Sequence, residues 1–155
     1  MGRLKRYWML LCIILHGGGY KRAEFLKKKK YFKAQGEHCY LQPWNFGTEP
    51  YMISFGNNVH LASNVNFINH DISVFMFRYM EPDTKFKGRT GEITIGDNVF
   101  IGAHSTILYD VHIGNNVIIG AGSIITKDIP DGVVAAGVPC KPIGKFEEYK
   151  AKLIE

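Results

Sequence analysis

Ile95-Gly-Asp-Asn-Val-Phe-Ile101-Gly-Ala-His-Ser-Thr-Ile107-Leu-Tyr-Asp-Val-His-Ile113-Gly-Asn-Asn-Val-Ile-Ile119-Gly-Ala-Gly-Ser-Ile-Ile125 puts isoleucine at every sixth position. Four positions after each stands a small or β-branched residue: Val99, Ser105, Val111, Val117, Ser123 and Ile129. Because six is a multiple of two, every such isoleucine points to one side of an extended chain. An α-helix cannot hold the pattern, since six residues turn it by about 600°. The chain must instead turn after each short strand. Gly96-Asp97-Asn98 and Gly114-Asn115-Asn116 supply residues that tolerate positive φ at such corners. Three sides close one triangular coil, with the isoleucines stacked along its axis as guide residues.

An earlier block obeys the same rule, with Phe55, Leu61 and Phe67 as guides and Val59 and Val65 four residues on. The blocks are out of phase, because the twenty-eight residues from Phe67 to Ile95 are not a multiple of six. Residues 72–92 therefore leave the coil as a loop, just after His70 and Asp71. Asp71 is the only charged residue in a fourth-after-guide position. A loop projecting from a solenoid is a candidate binding surface. The predicted fold class is all-β, a parallel β-helix over 37–145. A basic helical arm at 1–36 precedes it and a capping helix at 146–155 follows. Within the arm, 4–15 and 20–34 read as helices separated by Gly17-Gly18-Gly19; Phe146 to Ile154 reads as the cap.

A chain of 155 residues fits one domain. Its net charge of +5 is unevenly placed: residues 1–33 hold ten of the nineteen Lys and Arg against one acid, Glu24. The remainder has nine bases and thirteen acids, so the basic character belongs to the arm. Three cysteines, Cys12, Cys39 and Cys140, without a CxxC spacing argue against a disulfide framework or structural zinc and suit a reducing cytosol. The apolar run Tyr7 to Leu15 is too short to span a bilayer and lacks a small-x-small cleavage signature, so it is expected to be retained. Two readings of the arm stand: its apolar residues lie on an anionic membrane surface, or they pack on the coil with solvated lysines. The expected location is cytoplasmic, free or membrane-peripheral, with no nucleic-acid partner.

Ile95-Gly-Asp-Asn-Val-Phe-Ile-Gly102, Ile119-Gly-Ala-Gly-Ser-Ile-Ile-Thr-Lys-Asp-Ile-Pro130 and Val133-Val-Ala-Ala-Gly-Val-Pro-Cys-Lys-Pro-Ile143 together resemble the hexapeptide-repeat acyltransferases. The nearest groups are the galactoside and maltose acetyltransferases and the capsule or exopolysaccharide sugar O-acetyltransferases. The resemblance covers roughly residues 55–145 and implies a left-handed coil, an exception to the usual right-handed crossover. It also implies a homotrimer, with acetyl-CoA in the groove between subunits and no metal. Carried over residue by residue, the amides near Ala103 and Ala121 face the thioester. Thr126 and Lys127 lie near pantetheine and phosphates, and Lys141 lies near the nucleotide. Where some relatives carry arginine this chain has Gly144, with Lys145 as the substitute. Phe100 stands where several relatives have tryptophan.

Acetyl transfer to a hydroxyl needs a base near neutrality, and histidine is suited to it. Of His16, His38, His60, His70, His104 and His112, only His70 sits where the chain exits the coil, and it matches the family's base. His60 and His112 read as corner-proximal and His104 as a turn residue. Asp71 is a candidate to orient His70, although neighbours on a strand point apart. The oxyanion donor is expected to be a backbone N–H near Ala103. Phe75, Phe77, Arg78 and Tyr79 are candidate acceptor contacts, or they pack on a neighbouring subunit. The expected activity is O-acetylation of a sugar or polysaccharide precursor by direct transfer, not through Cys140. The alternatives are an antibiotic or amino-group acceptor, a zinc carbonic anhydrase-like enzyme using His60, His104 and His112, or a non-enzymatic trimeric scaffold.

Overall fold

The computed structural model describes the backbone of residues 3–154 and the side chains of 7–154. Short strands stack into three faces. Face A carries β1 (Ala34–Gln35), β3 (Ile53–Phe55), β8 (Ile93–Ile95) and β11 (Val111–Ile113). Face B carries β2 (Tyr40–Leu41), β4 (Val59–Leu61), β9 (Val99–Ile101), β12 (Val117–Ile119) and β14 (Val133–Ala136), edged by β15 (Lys141–Lys145). Face C carries β5 (Asn66–Ile68), β10 (Thr106–Leu108) and β13 (Ile124–Ile125). All ladders within the faces are parallel except β14 with β15. This is the left-handed parallel β-helix that the period of six and the resemblance imply.

The register explains the period. Leu61, Ile101 and Ile119 stack on face B, and Phe67, Ile107 and Ile125 on face C. Every guide is buried, as are Val99, Ser105, Val111, Val117, Ser123 and Ile129. Each aliphatic guide so buried stabilises the coil by roughly 1.5–3 kcal/mol. At the A–B corner, Asn58, Asn98 and Asn116 take positive φ. Their amides form a ladder, Asn58 Nδ2 to Asn98 Oδ1 at 2.9 Å and Asn98 Nδ2 to Asn116 Oδ1 at 3.0 Å. Beside it, the Asp97, Asn115 and Asp131 side chains accept the N–H groups of Asn57, Asp97 and Asn115.

The arm differs from its expected outline. α1 spans Arg3–Leu15, but α2 ends early, at Gly19–Lys28. Lys30 takes φ +48°, with Lys30 N–H bonded to Lys27 O and Tyr31 N–H to Leu26 O. That Schellman closure stops the helix. Ala34 then enters face A, so the coil starts before residue 37. Ile13, Ala23 and Leu26 cover this end of the core. Arg22 fastens the arm by donating to the carbonyls of Ile13, Leu41 and Gln42 at 3.2, 2.8 and 2.7 Å.

Residues 72–92 are not an irregular loop throughout. β6 (His70–Asp71) pairs antiparallel with β7 (Arg89–Thr90), and α3 (Val74–Met80) lies between them. The stretch Val74 to Met80 hides the helical period, because Arg78 is its only charged residue and no polar face is marked out. At the far end, α4 (Phe146–Ala151) buries no residue. The coil there is edged by the β14–β15 hairpin, so in the single chain α4 does not seal the core.

Candidate active site

Face C joins two corners that matter. At its far edge, towards face A, β5 pairs with β10 so that Ile68 meets Leu108, which puts His70 at the level of Asp110. Asn69 and Gly91 form the neck of the excursion, with Gly91 N–H bonded to Asn69 O at 2.8 Å and Asn69 Nδ2 to Gly91 O at 3.0 Å. The segment before the first full coil turns at the same corner. Gly47 lies so close to Phe67 O that a Cβ there would stand 2.8 Å from it. This stacking delivers Glu49 to His70: Glu49 Oε2 is 2.9 Å from His70 Nδ1. Thr48 Oγ1 donates to the same oxygen at 2.6 Å. The carboxylate can only accept, so Nδ1 carries the hydrogen, and in the neutral tautomer that this selects Nε2 holds the lone pair. Nε2 bonds to no group among the described residues.

Asp71 takes another job. Its Oδ1 accepts the Ser73 N–H at 2.7 Å, and that bond holds its carboxyl below the ordinary range, with Arg89 and His70 as smaller influences. It opens the turn into α3 and makes no hydrogen bond to the His70 imidazole. Glu49, not Asp71, is the carboxylate in contact with His70, and sequence reading passed over it. The register carried back from Phe55 puts it where a guide is due, and an acid in that place was the available signal.

The near edge of face C, towards face B, is the corner of Ser63, Ala103 and Ala121. Ala103 O accepts the N–H of Gly122 at 2.8 Å, and Ser63 O that of His104 at 3.0 Å. The N–H groups of Ala103 and Ala121 donate to nothing among the described residues. Gly102 packs directly on the next coil, where a Cβ would stand 2.4 Å from Ala121 N. Two free amides one coil apart are suited to an anionic oxygen or a polar chain laid along the axis.

His60 and His112 are not corner residues. Each lies mid-strand, on β4 and β11, facing outward between two inward residues. His104 is at a corner with φ +59°. These three sit on face B, face A and the B–C corner, so they do not converge within a chain. Cys140 is half-buried, and burial raises its thiol pKa, which keeps it from being a thiolate.

Residues 92–127 match the bacterial transferase hexapeptide family, described by six repeats. The chain is 51% identical over 110 residues to protein CapG of Staphylococcus aureus, covering 71% of this chain and 62% of CapG. It is 34% identical over 159 aligned residues to the galactoside O-acetyltransferase of Escherichia coli K12, covering 80% of this chain and 73% of that enzyme. A solved structure of a galactoside acetyltransferase in complex with coenzyme A superposes with a TM-score of 0.65 at 28% identity, over 96% of this chain and 82% of the other. The chain belongs to the hexapeptide-repeat acetyltransferase family.

Within that family frame, the residues expected to meet acetyl-CoA fall into two groups. Thr126 and Lys127 follow β13 at the far edge of face C, exposed, and Lys127 has no carboxylate partner among the described residues. Lys141 and Lys145 are exposed on β15, and Lys145 Nζ is 3.7 Å from Glu148. Gly144 has room for a side chain, since an added Cβ would stand 4.0 Å from Val134 Cβ. Phe100 keeps an aromatic, half-exposed on β9. In α3, Phe75, Phe77 and Tyr79 are exposed. Arg78 is engaged within the excursion, donating to Phe86 O at 3.1 Å with its guanidinium 5.5 Å from the Phe75 ring.

Proposed function

We propose that this protein is an acetyl-CoA-dependent O-acetyltransferase for a sugar or glycan-precursor hydroxyl, acting as a homotrimer with each active site shared by two chains. The observation that carries the reading is the division of the machinery. The Glu49–His70 pair lies at one edge of face C and the free amides of Ala103 and Ala121 at the other. A face of five or so extended residues is roughly 15 Å wide. Reacting atoms must approach to about 3–3.5 Å. One chain therefore cannot serve both partners, whereas a neighbouring prism that docks His70 against the amide corner can.

In that arrangement His70 Nε2 takes the proton of the acceptor hydroxyl as its oxygen attacks the thioester carbonyl. Glu49 fixes the tautomer and offsets the imidazolium charge. The Ala103 N–H of the neighbour donates to the oxygen that becomes negative. His70 then returns the proton to the departing thiolate. Lys127 and Lys141 supply point charges for phosphates, and Thr126 lines the pantetheine path. The sugar acceptor is supported by the galactoside O-acetyltransferase relatives and by exposed Phe75, Phe77 and Tyr79 beside His70. The test is thiol release from acetyl-CoA with free sugars, nucleotide sugars, lipid-linked glycans, aminoglycosides and amines. Release that depends on a sugar hydroxyl is expected; turnover only with an amine would replace the O-acetyl reading.

A further inference from the structure

α1 is apolar on both sides. Met9, Cys12, Ile13 and His16 face the coil, where Ile13 is buried and the His16 ring stacks on Phe25 at 4.0 Å. The opposite arc holds Tyr7, Trp8, Leu10, Leu11, Ile14 and Leu15, with Tyr7, Trp8 and Leu15 about 70% exposed. At 100° per residue these six span an arc of about 160°. From Tyr7 to Leu15 the helix is apolar all round, and such a stretch belongs in an apolar environment, so this arc has a partner. No described helix is long and apolar enough to cross a membrane.

Charge decides which partner. Lys21, Lys28, Lys29 and Lys30 are exposed on or just after α2 and face no carboxylate among the described residues. Residues 1–33 carry ten bases against one acid. A second copy of the arm would bring like charge to like charge, and a nucleic acid offers nothing to Leu11, Ile14 and Leu15. An anionic lipid surface satisfies both features, with headgroups for the lysines and the acyl boundary for the arc.

We infer that α1 lies in the plane of an anionic membrane surface and fixes the enzyme there. Arg22 ties the backbone of α1 to Leu41 and Gln42, so the docked helix sets the attitude of the whole prism. A groove of about 360 Å³ runs from Tyr7, Leu10 and Ile13 past Tyr31 and Trp44 to Gly47, two residues before Glu49. The docked helix and the Glu49–His70 corner are thus joined by one continuous groove. This inference stands apart from the catalytic reading, because its test needs no turnover.

The full chain is floated with phosphatidylcholine vesicles, with and without phosphatidylglycerol. Flotation only with the anionic lipid, weakened by salt, is expected, with the Trp8 fluorescence of a Trp44→Phe background shifting to the blue. Replacing Lys28, Lys29 and Lys30 by Gln leaves the fold untouched and weakens binding about fivefold per lysine, from about 1 kcal/mol each. Trp8→Ser with Leu11→Ser lowers binding at least about tenfold. Absence of flotation at low salt, or equal binding by parent and lysine variant, overturns the inference. So does loss of the oligomer in the Trp8/Leu11 variant with lipid binding intact, which assigns the arc to a second copy.

Discussion

Glu49 Oε2 stands 2.9 Å from His70 Nδ1 across a corner of the coil, although they are twenty-one positions apart in the chain. With Nδ1 occupied as a donor, Nε2 is the nitrogen available to an acceptor hydroxyl. His70→Ala is expected to lower kcat by about 10²–10⁴, the usual contribution of a positioned base. Acetyl-CoA affinity should hold, since His70 touches none of the groups assigned to it. Retention of more than half the parent rate would place the base elsewhere.

Glu49 acts through His70, so its effects should depend on His70. Glu49→Ala is expected to reduce kcat by less than His70→Ala, with KM for acetyl-CoA unchanged. Glu49→Gln should recover part of the loss, because its carbonyl oxygen can still accept from Nδ1. Residues that work as a unit are non-additive. The His70→Ala, Glu49→Ala double variant should be no slower than His70→Ala alone. A further drop would show that Glu49 works independently.

The coil was legible because burial alternates with a period of six, and that needs only the guides: Ile101, Ile107, Ile113 and Ile119 are all buried. His70 was legible as the point where the register breaks. Glu49 was legible only as an acid at a guide position; its meeting with His70 depends on how Gly47 stacks against Phe67, a contact between coils that no local pattern encodes. Asp71 looked like the partner by adjacency, but strand geometry turns it towards Ser73. The premature end of α2 follows from Lys30 in a positive-φ conformation, which a run of four lysines does not advertise. The helix Val74–Met80 was hidden because an exposed apolar surface looks, in sequence, like a buried one.

Lys127 is exposed and free of carboxylates among the described residues, as a phosphate contact should be. Lys127→Ala is expected to raise KM for acetyl-CoA about fivefold, equivalent to about 1 kcal/mol for an exposed charge pair, with kcat nearly unchanged. The salt dependence of KM should flatten in the variant. Initial-rate measurements at two ionic strengths check both; an unaltered KM rejects the contact.

Asp131 links corner chemistry to pH. Its Oδ1 accepts the Asn115 N–H at 2.7 Å, and that bond holds the carboxyl below its ordinary range. A pKa depressed in the folded state adds stability that is present above the unfolded value of about 3.9 and is lost as pH falls through the folded value. The parent Tm should therefore drop below about pH 4, partly through Asp131. Asp131→Asn keeps an acceptor but does not titrate, so its Tm should fall less over that window. Melting curves from about pH 7 to pH 3 decide; identical acid slopes would remove Asp131 from the acid response.

A site shared between chains has a consequence that a single-chain site lacks. His70→Ala disables the base, and Ala103→Pro removes the N–H that would serve the oxyanion, so each variant alone should be nearly inactive. Unfolding and refolding the two together in equal amounts makes mixed trimers. An interface is restored when an intact His70, from an Ala103→Pro chain, meets an intact Ala103, from a His70→Ala chain. Random mixing in a cyclic trimer produces that pairing at about one interface in four, so about a quarter of parent activity should return. Each variant is first checked by light scattering for trimer formation, since a monomeric parent would itself defeat the shared site. If both homotrimers fold and the mixture stays inactive, His70 and Ala103 serve within one chain, and the width of face C has been misjudged as a barrier.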